Sequence, residues 1–274
     1  MYLGIDVGGT KTVVAALTNE GVISTQVKFP TPKKYDELIK LLPEKIAELG
    51  AHDYVACGIG VPGTIDRKRG IAVRFGNLDW KNVPFAADLE KITRVPVALE
   101  NDAKLAGLSE AMVRKKVSKL LYITISTGIG VALVVDREIN TGFGDRGGDA
   151  MLYQHNGKLQ PWEDFASGKA LVRHYGKRAE DVTDPAVWEA MARSWRPGFL
   201  ELIALTEPDV VVIGGGVGTH YKSYGDILRA ELEKYATPIF AIPPIEGAKR
   251  SELAVVYGAY DLAKQTFGGA KKHA

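Results

Sequence analysis

The first 30 residues predict three successive β-strands with no helix between them. Two β-rich runs, Tyr2 to Val7 and Thr12 to Leu17, are joined by the turn Gly8-Gly9-Thr10-Lys11. A third run, Val22 to Phe29, follows the turn Asn19-Glu20-Gly21. Runs this close together pair as antiparallel neighbours, because a parallel crossover needs about a dozen or more connecting residues. The chain therefore begins with a β-meander and not with a β-α-β unit.

The same pattern recurs in the middle of the chain. Lys119 to Ile125 and Val131 to Asp136 predict strands, and Ser126-Thr127-Gly128-Ile129-Gly130 between them is again a turn of glycines and hydroxyls. Such self-similarity is a faint internal repeat. It predicts two lobes of related architecture.

The remaining segments alternate between helix-like and strand-like patterns, which is typical of an α/β protein. The predicted helices are Lys33 to Leu49, the region near Trp162 to Gly176, and Pro185 to Leu205, and the further predicted strands are Tyr54 to Val61 and Asp209 to Ile213. We expect a small N-terminal α/β lobe of residues 1–115, a larger C-terminal α/β lobe of residues 116–251, and a final helix, at about 252–267, that packs back on the first lobe.

Composition places the chain among ordinary globular proteins. Its 274 residues are 46% hydrophobic and 25% charged, and the formal charge of +2 is too small to indicate a partner. Cys57 is the single cysteine, so a disulfide within the chain and a cysteine-rich zinc cluster are both excluded. It lies in an apolar run, where we expect an inert, buried thiol.

The absence of targeting signals in the sequence predicts a cytoplasmic protein. The N-terminus enters a strand at once, and no apolar run reaches the roughly 18 residues of a transmembrane helix. The basic tail Lys271-Lys272-His273 is too short to predict nucleic-acid binding. We therefore expect no membrane and no nucleic-acid partner.

Two familiar glycine motifs fail on inspection. Gly58-Ile59-Gly60-Val61-Pro62-Gly63 fits G-x-G-x-x-G, but a dinucleotide site needs a helix directly after it. Here Pro62 interrupts, and residues 64–70 resemble a loop. Gly9-Thr10-Lys11-Thr12 lacks the Gly-Lys-Ser/Thr order of a Walker A loop.

The turn at Gly8 to Lys11 instead predicts phosphate binding between antiparallel strands. Glycines let backbone N–H groups approach a phosphate, Thr10 and Thr12 add hydroxyl donors, and Lys11 adds positive charge. A plain hairpin turn is the alternative. Asp6 at the strand end and the similar turn at Ser126 to Gly130 favour the functional interpretation.

Glu100-Asn101-Asp102-Ala103 lies between a strand-like run and a helix-like run. A carboxylate at this position can deprotonate a hydroxyl, and adjacent Asn and Asp side chains can bind a polyol. Alternatively, Asp102 caps the following helix, although Asn101 can cap it as well.

Gly214-Gly215-Gly216, at the end of a predicted strand, suits close approach of a ribose or a flat ring. A tight strand-to-helix turn is the alternative. His155, His174 and His220 have no metal-ligand spacing, so we expect ordinary histidines there.

Taken together, these motifs resemble the ROK (repressor, open reading frame, kinase) family of sugar kinases. That family belongs to the actin/hexokinase/Hsp70 ATPase superfamily, and the resemblance runs over about residues 1 to 265. The matching segments are Asp6 to Lys11, Gly60-Val61-Pro62-Gly63 with Asp66, Gly76-Asn77-Leu78 with Trp80, Glu100 to Ala103, Ser126 to Gly130, Glu163 with Ala166-Ser167-Gly168, and Gly214 to Gly216.

The resemblance implies an α/β, two-lobed actin-like ATPase (ribonuclease H-like) fold with a cleft between the lobes. It implies ATP and Mg²⁺ as cofactors, Asp102 as general base, and a glucokinase-like homodimer. The implied sugar ligands are Asn77, Asn101, Asp102, Asp145 and Glu163. The implied nucleotide ligands are Asp6, Gly8, Gly9, Thr10, Lys11, Thr12, Ser126, Thr127, Gly128, Gly214, Gly215 and Gly216, with Asp6 reaching Mg²⁺ through ATP.

The chain departs from the family pattern on the sugar side. Many members carry G-E-I-G-H and then a cysteine-rich zinc loop, whereas this chain has Gly144-Asp145-Arg146-Gly147-Gly148 and no cysteines there. Asp145 replaces the sugar-binding glutamate, and Gly148 stands where the histidine would be. Lys104 stands where Asn is common. We therefore expect no structural zinc, and we leave the identity of the sugar open.

The expected reaction is ATP-dependent phosphorylation of a hexose hydroxyl, with the 6-OH of glucose as first choice. N-acylmannosamine, N-acetylglucosamine and fructose remain alternative sugars, and polyphosphate remains an alternative donor. A non-catalytic sugar sensor is the alternative outside enzymes. A sugar-responsive repressor is disfavoured, because the first phosphate motif starts at Gly4 and leaves no room for an N-terminal helix-turn-helix.

Overall fold

The computed structural model describes residues 1–76 and 78–269. Asn77 and the tail Lys271-Lys272-His273, both singled out above, lie outside the described residues. The strands, in chain order, are β1 Tyr2–Val7, β2 Lys11–Leu17, β3 Ile23–Pro30, β4 Ala56–Val61, β5 Thr64–Asp66, β6 Ile71–Arg74, β7 Lys81–Val83, β8 Val97–Asn101, β9 Lys119–Ile125, β10 Ile129–Val135, β11 Glu138–Ile139, β12 Leu152–His155, β13 Lys158–Pro161, β14 Val210–Gly214 and β15 Ile245–Gly247. The helices are α1 Tyr35–Ala47, α2 Phe85–Thr93, α3 Asp102–Met112, α4 Trp162–Ala166, α5 Gly168–Tyr175, α6 Pro185–Thr206, α7 Gly215–Gly218, α8 Gly225–Glu233 and α9 Ala254–Phe267.

The described chain forms two compact units. The first comprises Met1–Met112 together with the segment that starts at Leu253, and the second comprises Val113–Glu252. The first unit therefore contains α9, which the chain reaches only after completing the second unit.

A mixed five-stranded sheet, in the order β3-β2-β1-β4-β8, forms the centre of the first unit. β3, β2 and β1 are antiparallel neighbours, as the closely spaced amino-terminal runs predict, and β4 and β8 continue the sheet in parallel. Every residue of β2 after Lys11 is buried. Val14 and Ala16 join the core beneath α1 and α2, whereas Val13, Ala15 and Leu17 join the core beneath α9, because alternate strand residues point to opposite faces.

The literal G-x-G-x-x-G segment is explained by packing. A Cβ at Gly58 would lie 1.9 Å from the carbonyl oxygen of Ala259, and a Cβ at Gly60 would lie 2.4 Å from the side chain of Val255. Gly63 has a φ of +103° in the turn that follows. The glycines of β4 therefore let α9 approach the sheet, and the residues after Gly63 form the strand β5 rather than a helix.

Residues 64–70 were expected to form a loop, and this prediction is wrong in part. β5 pairs with β6, and β6 pairs with β7, so the segment starts a small antiparallel sheet. Residues 67–70 make the turn between β5 and β6. Local sequence does not reveal β5, because three residues are too few to show alternation.

The second unit repeats the sheet of the first. Its strands lie in the order β11-β10-β9-β14-β15, with β11, β10 and β9 antiparallel and β14 and β15 parallel to β9. This confirms the internal repeat predicted from the two glycine turns. The core of this unit contains Trp162, Trp188 and Trp195, packed beside the apolar residues of β9 and β14.

The region near Trp162 to Gly176 forms two helices rather than one. Ser167 has extended backbone angles between α4 and α5, and its side chain accepts a hydrogen bond from the backbone N–H of Ala170. Serine is preferred at an N-cap and less favourable inside a helix, which explains why α4 ends and α5 begins at Ser167. Within the described part of the chain, every helix is too short or too polar to cross a bilayer.

Candidate active site

Parallel strands end side by side in the first unit. Asp6 of β1 lies opposite Gly60 of β4, which in turn lies opposite Glu100 of β8. α3 begins directly after β8, at Asp102. Two carboxylates separated by 96 positions in the sequence, those of Asp6 and Asp102, thus come to the same edge of the sheet, close enough for their charges to interact.

The turn between β1 and β2 is tight and open to solvent. The backbone N–H of Gly8 donates to the carbonyl oxygen of Lys11 at 2.9 Å, and a Cβ at Gly8 would lie 2.8 Å from that oxygen. Thr10 and Lys11 are exposed. A small residue is therefore required where the turn closes, while a hydroxyl and an ammonium group remain accessible to a ligand.

Thr12 has a different role from the one we expected. Its side chain is fully buried, and its hydroxyl lies 2.9 Å from the hydroxyl of Thr31, which donates to the carbonyl oxygen of Gly8 at 2.7 Å. Thr12 therefore supports the turn from within the fold, and Thr10 is the hydroxyl of this turn that a phosphate can reach.

Asn101 caps α3, which resolves the alternative left open for Asp102. The Asn101 side-chain oxygen accepts a hydrogen bond from the backbone N–H of Lys104 at 3.2 Å, and its amide group donates to the carbonyl oxygen of Gly63 at 3.0 Å. The Asp102 carboxylate accepts hydrogen bonds only from nearby backbone N–H groups, chiefly that of Ala103 at 2.7 Å, among the interactions of the described residues. Because Asn101 provides the cap, the half-buried carboxylate of Asp102 is not needed to cap α3.

Burial shapes the charge of both carboxyl groups. Desolvation by burial, followed by the neighbouring charge of Asp102, raises the pKa of Asp6 to about 7, although Lys11 opposes the shift. Burial also raises the pKa of Asp102 to about 6, and its backbone hydrogen bonds limit the rise. A carboxylate whose pKa lies near the working pH is suited to general-base chemistry.

Sequence reasoning missed an ion pair directly behind this edge. Both carboxylate oxygens of Glu100, which is 3% exposed, accept hydrogen bonds at 2.7 Å from the Nε and an Nη of Arg67. The backbone N–H of Asn101 also donates to Glu100, at 2.7 Å. A signal existed, because a glutamate ending a buried apolar strand needs a cationic partner. Sequence could not identify Arg67 as that partner.

The second unit places its own predicted residues together. The backbone N–H of Ser126 donates to the carbonyl oxygen of Gly128, which closes the turn between β9 and β10. Glu163 accepts a hydrogen bond from the backbone N–H of Ile129 at 3.2 Å, and a Cβ at Gly128 would lie 2.6 Å from the same carboxylate. Burial raises the pKa of Glu163. Glu163 and the second glycine turn are thus one local structure.

The triglycine segment lies beside that turn. Gly214 ends β14 opposite Thr124, and a Cβ at Gly215 would lie 2.5 Å from the carbonyl oxygen of Ile125, the residue before Ser126. Gly215 has a φ of +79° and starts the short helix α7. The chain therefore makes the strand-to-helix turn that was the alternative for this motif, and nucleotide contact stays a prediction.

Gly148, which stands where many family members carry a histidine, is closely packed. A Cβ at Gly148 would lie 2.9 Å from the Cβ of Ile129 and 3.4 Å from the backbone nitrogen of Glu163. A side chain at this position would therefore require Ile129 to shift. Asp145 is half-buried on the loop just before this position.

Trp80 is structural rather than ligand-binding. It is buried, donates from its indole nitrogen to the carbonyl oxygen of Lys33 at 2.8 Å, and packs edge-on against Phe75 and Tyr35. The neighbouring residue Asn77, predicted to bind sugar, lies outside the described residues.

The carboxylates of the first unit suit Mg²⁺ delivered with phosphates. Among the described residues, no three His, Cys, Asp or Glu side chains converge as a metal site. Mg²⁺ commonly binds one or two protein carboxylates and takes its remaining ligands from phosphates and water. Asp6 offers such a carboxylate, and a cation beside it would favour the ionised form that burial disfavours.

The duplicated sheet defines the class of protein. A mixed sheet with three antiparallel strands followed by two parallel ones, present once in each unit, is the ribonuclease H-like arrangement of actin-like ATPases. This confirms the fold class expected from the sequence.

Comparison with known proteins agrees with this class. Residues 2–266 match the model of the ROK family. The chain is 25% identical to a glucokinase of Streptomyces coelicolor, over 97% of this chain and 98% of the relative, and 27% identical to an N-acetyl-D-glucosamine kinase of Citrobacter koseri, over 94% and 98%. The crystal structure of a ROK family glucokinase from Streptomyces griseus, in complex with glucose and AMPPNP, superposes with a TM-score of 0.82 at 26% identity, covering 96% of this chain and 99% of that one. The chain belongs to the ROK family.

Proposed function

We propose that this protein is a hexokinase-type sugar kinase that transfers the γ-phosphate of ATP to a hexose hydroxyl, with the 6-OH of glucose as the preferred acceptor. The observation that carries the proposal is the arrangement at the edge of the first sheet. Because Asn101 caps α3, Asp102 is not needed as the cap, and it lies near Asp6, the penultimate residue of β1, which leads into the glycine turn. Glucokinases among the relatives support the same reaction.

In the proposed mechanism, the oxygen of the sugar hydroxyl attacks the γ-phosphorus of ATP and ADP leaves. Asp102 accepts the proton of that hydroxyl. Because the pKa of Asp102 lies near 6, most of the carboxylate is ionised at pH 7 and can accept that proton. Lys11, Thr10 and the backbone N–H groups of the turn would hold phosphate oxygens. Mg²⁺, when bound, supplies charge neutralisation on the phosphates.

The remaining assignments rest on the family resemblance. Glu163, Asp145, Asn101 and Asn77 are proposed to bind the sugar. The proposed nucleotide ligands of the second unit are Ser126, Thr127, Gly128, Gly214, Gly215 and Gly216. A homodimer is also proposed, and sedimentation of the purified protein tests it.

Other sugars remain open, and one observation favours testing them early. Gly148 packs against Ile129 where many family members carry a sugar-contacting histidine. An N-acetyl-D-glucosamine kinase is among the relatives. Activity should therefore be measured with glucose, fructose, N-acetylglucosamine and N-acetylmannosamine, using ATP and polyphosphate as donors.

The decisive variant is Asp102→Asn. It keeps the shape of the side chain but cannot accept a proton, so we expect turnover to fall by at least about 100-fold while sugar binding persists. Asp36→Asn, an exposed aspartate on α1, is the control and should retain full activity. Near-normal turnover of Asp102→Asn would refute the general-base assignment, and absence of sugar-dependent ADP formation would favour a non-catalytic sensor.

A further inference from the structure

A second candidate binding site lies within the second unit, away from the glycine turns. It is a pocket of about 530 Å³, and its polar lining includes His155, Asn156, His174, Arg193, Ser194 and Arg196. Among the described residues, no carboxylate lines this histidine–arginine pocket. Its volume lies within the range of small-molecule sites, and its lining is rich in hydrogen-bond donors.

Both histidines line the pocket, and the ring orientation of His155 is fixed by stacking. The ring of His155 stacks on Phe165, with centroids 4.1 Å apart and planes at 8°, so its edge carries the two nitrogens away from the stack. Burial, followed by the charge of His174, lowers the pKa of His155. Protonation of both imidazole rings would make them repel each other, and an anion bound between them would offset that repulsion.

The arginines differ in how firmly they are held. Arg196 donates to Glu231 at 2.7 Å and lies over the ring of Tyr235, so its position is fixed. Arg193 is 54% exposed, and its contact with Glu189 spans 3.8 Å. Exposed pairs of this kind contribute little, so Arg193 is available to a stronger anionic ligand.

The pocket is also connected to the second glycine turn. Phe165 lies on α4, the same short helix that carries Glu163, whose carboxylate accepts the N–H of Ile129. After α4, the N–H of Gly168 donates to the carbonyl oxygen of Ser126 at 2.7 Å. A ligand that shifts Phe165 would therefore act on the residues that position this turn.

We propose that the histidine–arginine pocket binds a phosphate monoester and thereby changes the affinity of the enzyme for its sugar. Several phosphate oxygens can accept hydrogen bonds from arginine and histidine together, whereas one carboxylate would satisfy fewer of these donors. The identity of the ester, a hexose 6-phosphate, rests on the proposed function, because that compound would be the reaction product. The site would then provide feedback by the product.

Calorimetric titration tests the site. Glucose 6-phosphate is titrated into the protein with glucose and Mg-AMPPNP already saturating, so that the proposed active site is filled. We expect binding to persist, and Arg193→Ala to weaken it at least about tenfold. The matched control is Arg229→Ala, since Arg229 also pairs with a glutamate four residues away in the same helix, at 3.0 Å and 45% exposure. It should leave the affinity unchanged.

A kinetic experiment tests the connection to the turn. Glucose 6-phosphate should raise the KM for sugar more in the unaltered protein than in Arg193→Ala. Competition at the active site is the same in both proteins, so the difference reports binding in the histidine–arginine pocket. Loss of all binding once glucose and Mg-AMPPNP are present, or equal weakening by both arginine variants, would overturn the proposal. An inactive protein that still binds inorganic phosphate through Arg193 would refute the proposed function and leave the pocket standing.

Discussion

At the scale of single residues, the chemistry depends on how neighbouring side chains divide their tasks. Asn101 caps the helix, which frees Asp102, and Thr12 supports the turn, which leaves Thr10 and Lys11 exposed. Adjacent residues of similar polarity thus serve structure and proposed function separately.

The raised pKa values predict an unusual pH dependence of catalysis. In the proposed mechanism, activity requires ionised Asp102, so kcat/KM should fall as the pH is lowered through about 6 to 7, far above the range of an ordinary aspartate. This fall of kcat/KM at low pH reports the titration of the Asp6–Asp102 pair rather than of either residue alone. Constant kcat/KM down to pH 4.5, with the protein still folded by circular dichroism, would contradict this assignment.

Because Arg67 pairs with the buried Glu100, removing the Arg67 side chain should lower the stability of the protein considerably. Arg67→Ala would leave the buried carboxylate of Glu100 uncompensated, so the free energy of unfolding should fall on the order of 3 kcal/mol. Arg69→Ala is the control. Arg69 is 73% exposed and its ion pair with Asp66 is long, at 4.0 Å, so this variant should change the free energy of unfolding by less than about 0.5 kcal/mol.

Urea unfolding at pH 7 measures both arginine variants. The double variant Arg67→Met with Glu100→Gln should regain part of the loss, since it removes the unpaired charge. Equal stability of Arg67→Ala and Arg69→Ala would mean that the ion pair contributes nothing measurable.

At the scale of elements, glycines decide which segments can touch. β4 carries Cys57, Ile59 and Val61 toward one core, while Gly58 and Gly60 face α9 on the other side. Since successive strand residues alternate between faces, the glycine spacing of two is what a closely packed helix requires.

Gly58→Ala should therefore be strongly destabilising. Its Cβ would lie 1.9 Å from the backbone oxygen of Ala259, which cannot move without displacing α9. We expect a loss of at least about 3 kcal/mol in the free energy of unfolding. Gly216→Ala, whose added Cβ meets nothing within 4 Å, is the control. A denaturation midpoint for Gly58→Ala equal to that of the control would show that α9 does not pack as described.

At the scale of the whole molecule, two units with the same strand order carry different chemical groups at corresponding turns. The first unit has Lys11 and the aspartates, whereas the second has Ser126, Thr127 and Glu163. Duplication of a scaffold with divergence of its loops is a common basis for specialised sites.

Ligands of the proposed reaction should stabilise the protein measurably. Glucose at 100 times its Kd contributes about 2.7 kcal/mol, which should raise Tm by about 5 °C or more. Mg-AMPPNP should add a further increase that EDTA removes, because the metal neutralises the phosphate charge. Lys11→Ala should lose the nucleotide-dependent increase and keep that of glucose. An unchanged nucleotide shift in Lys11→Ala would exclude the first turn as a phosphate site.

The sequence by itself determined the strand runs, the two glycine turns, the buried cysteine and the repeat, because alternation of apolar residues and turn chemistry are properties of neighbours along the chain. Only the tertiary structure decided that β4 glycines admit α9, that Arg67 is the partner of Glu100, that Asn101 rather than Asp102 caps α3, and that Ile129 fills the space beside Gly148. Each of these depends on which residues meet in space. The sequence shows that a buried group needs a partner, but only the folded chain selects that partner from residues far apart along it.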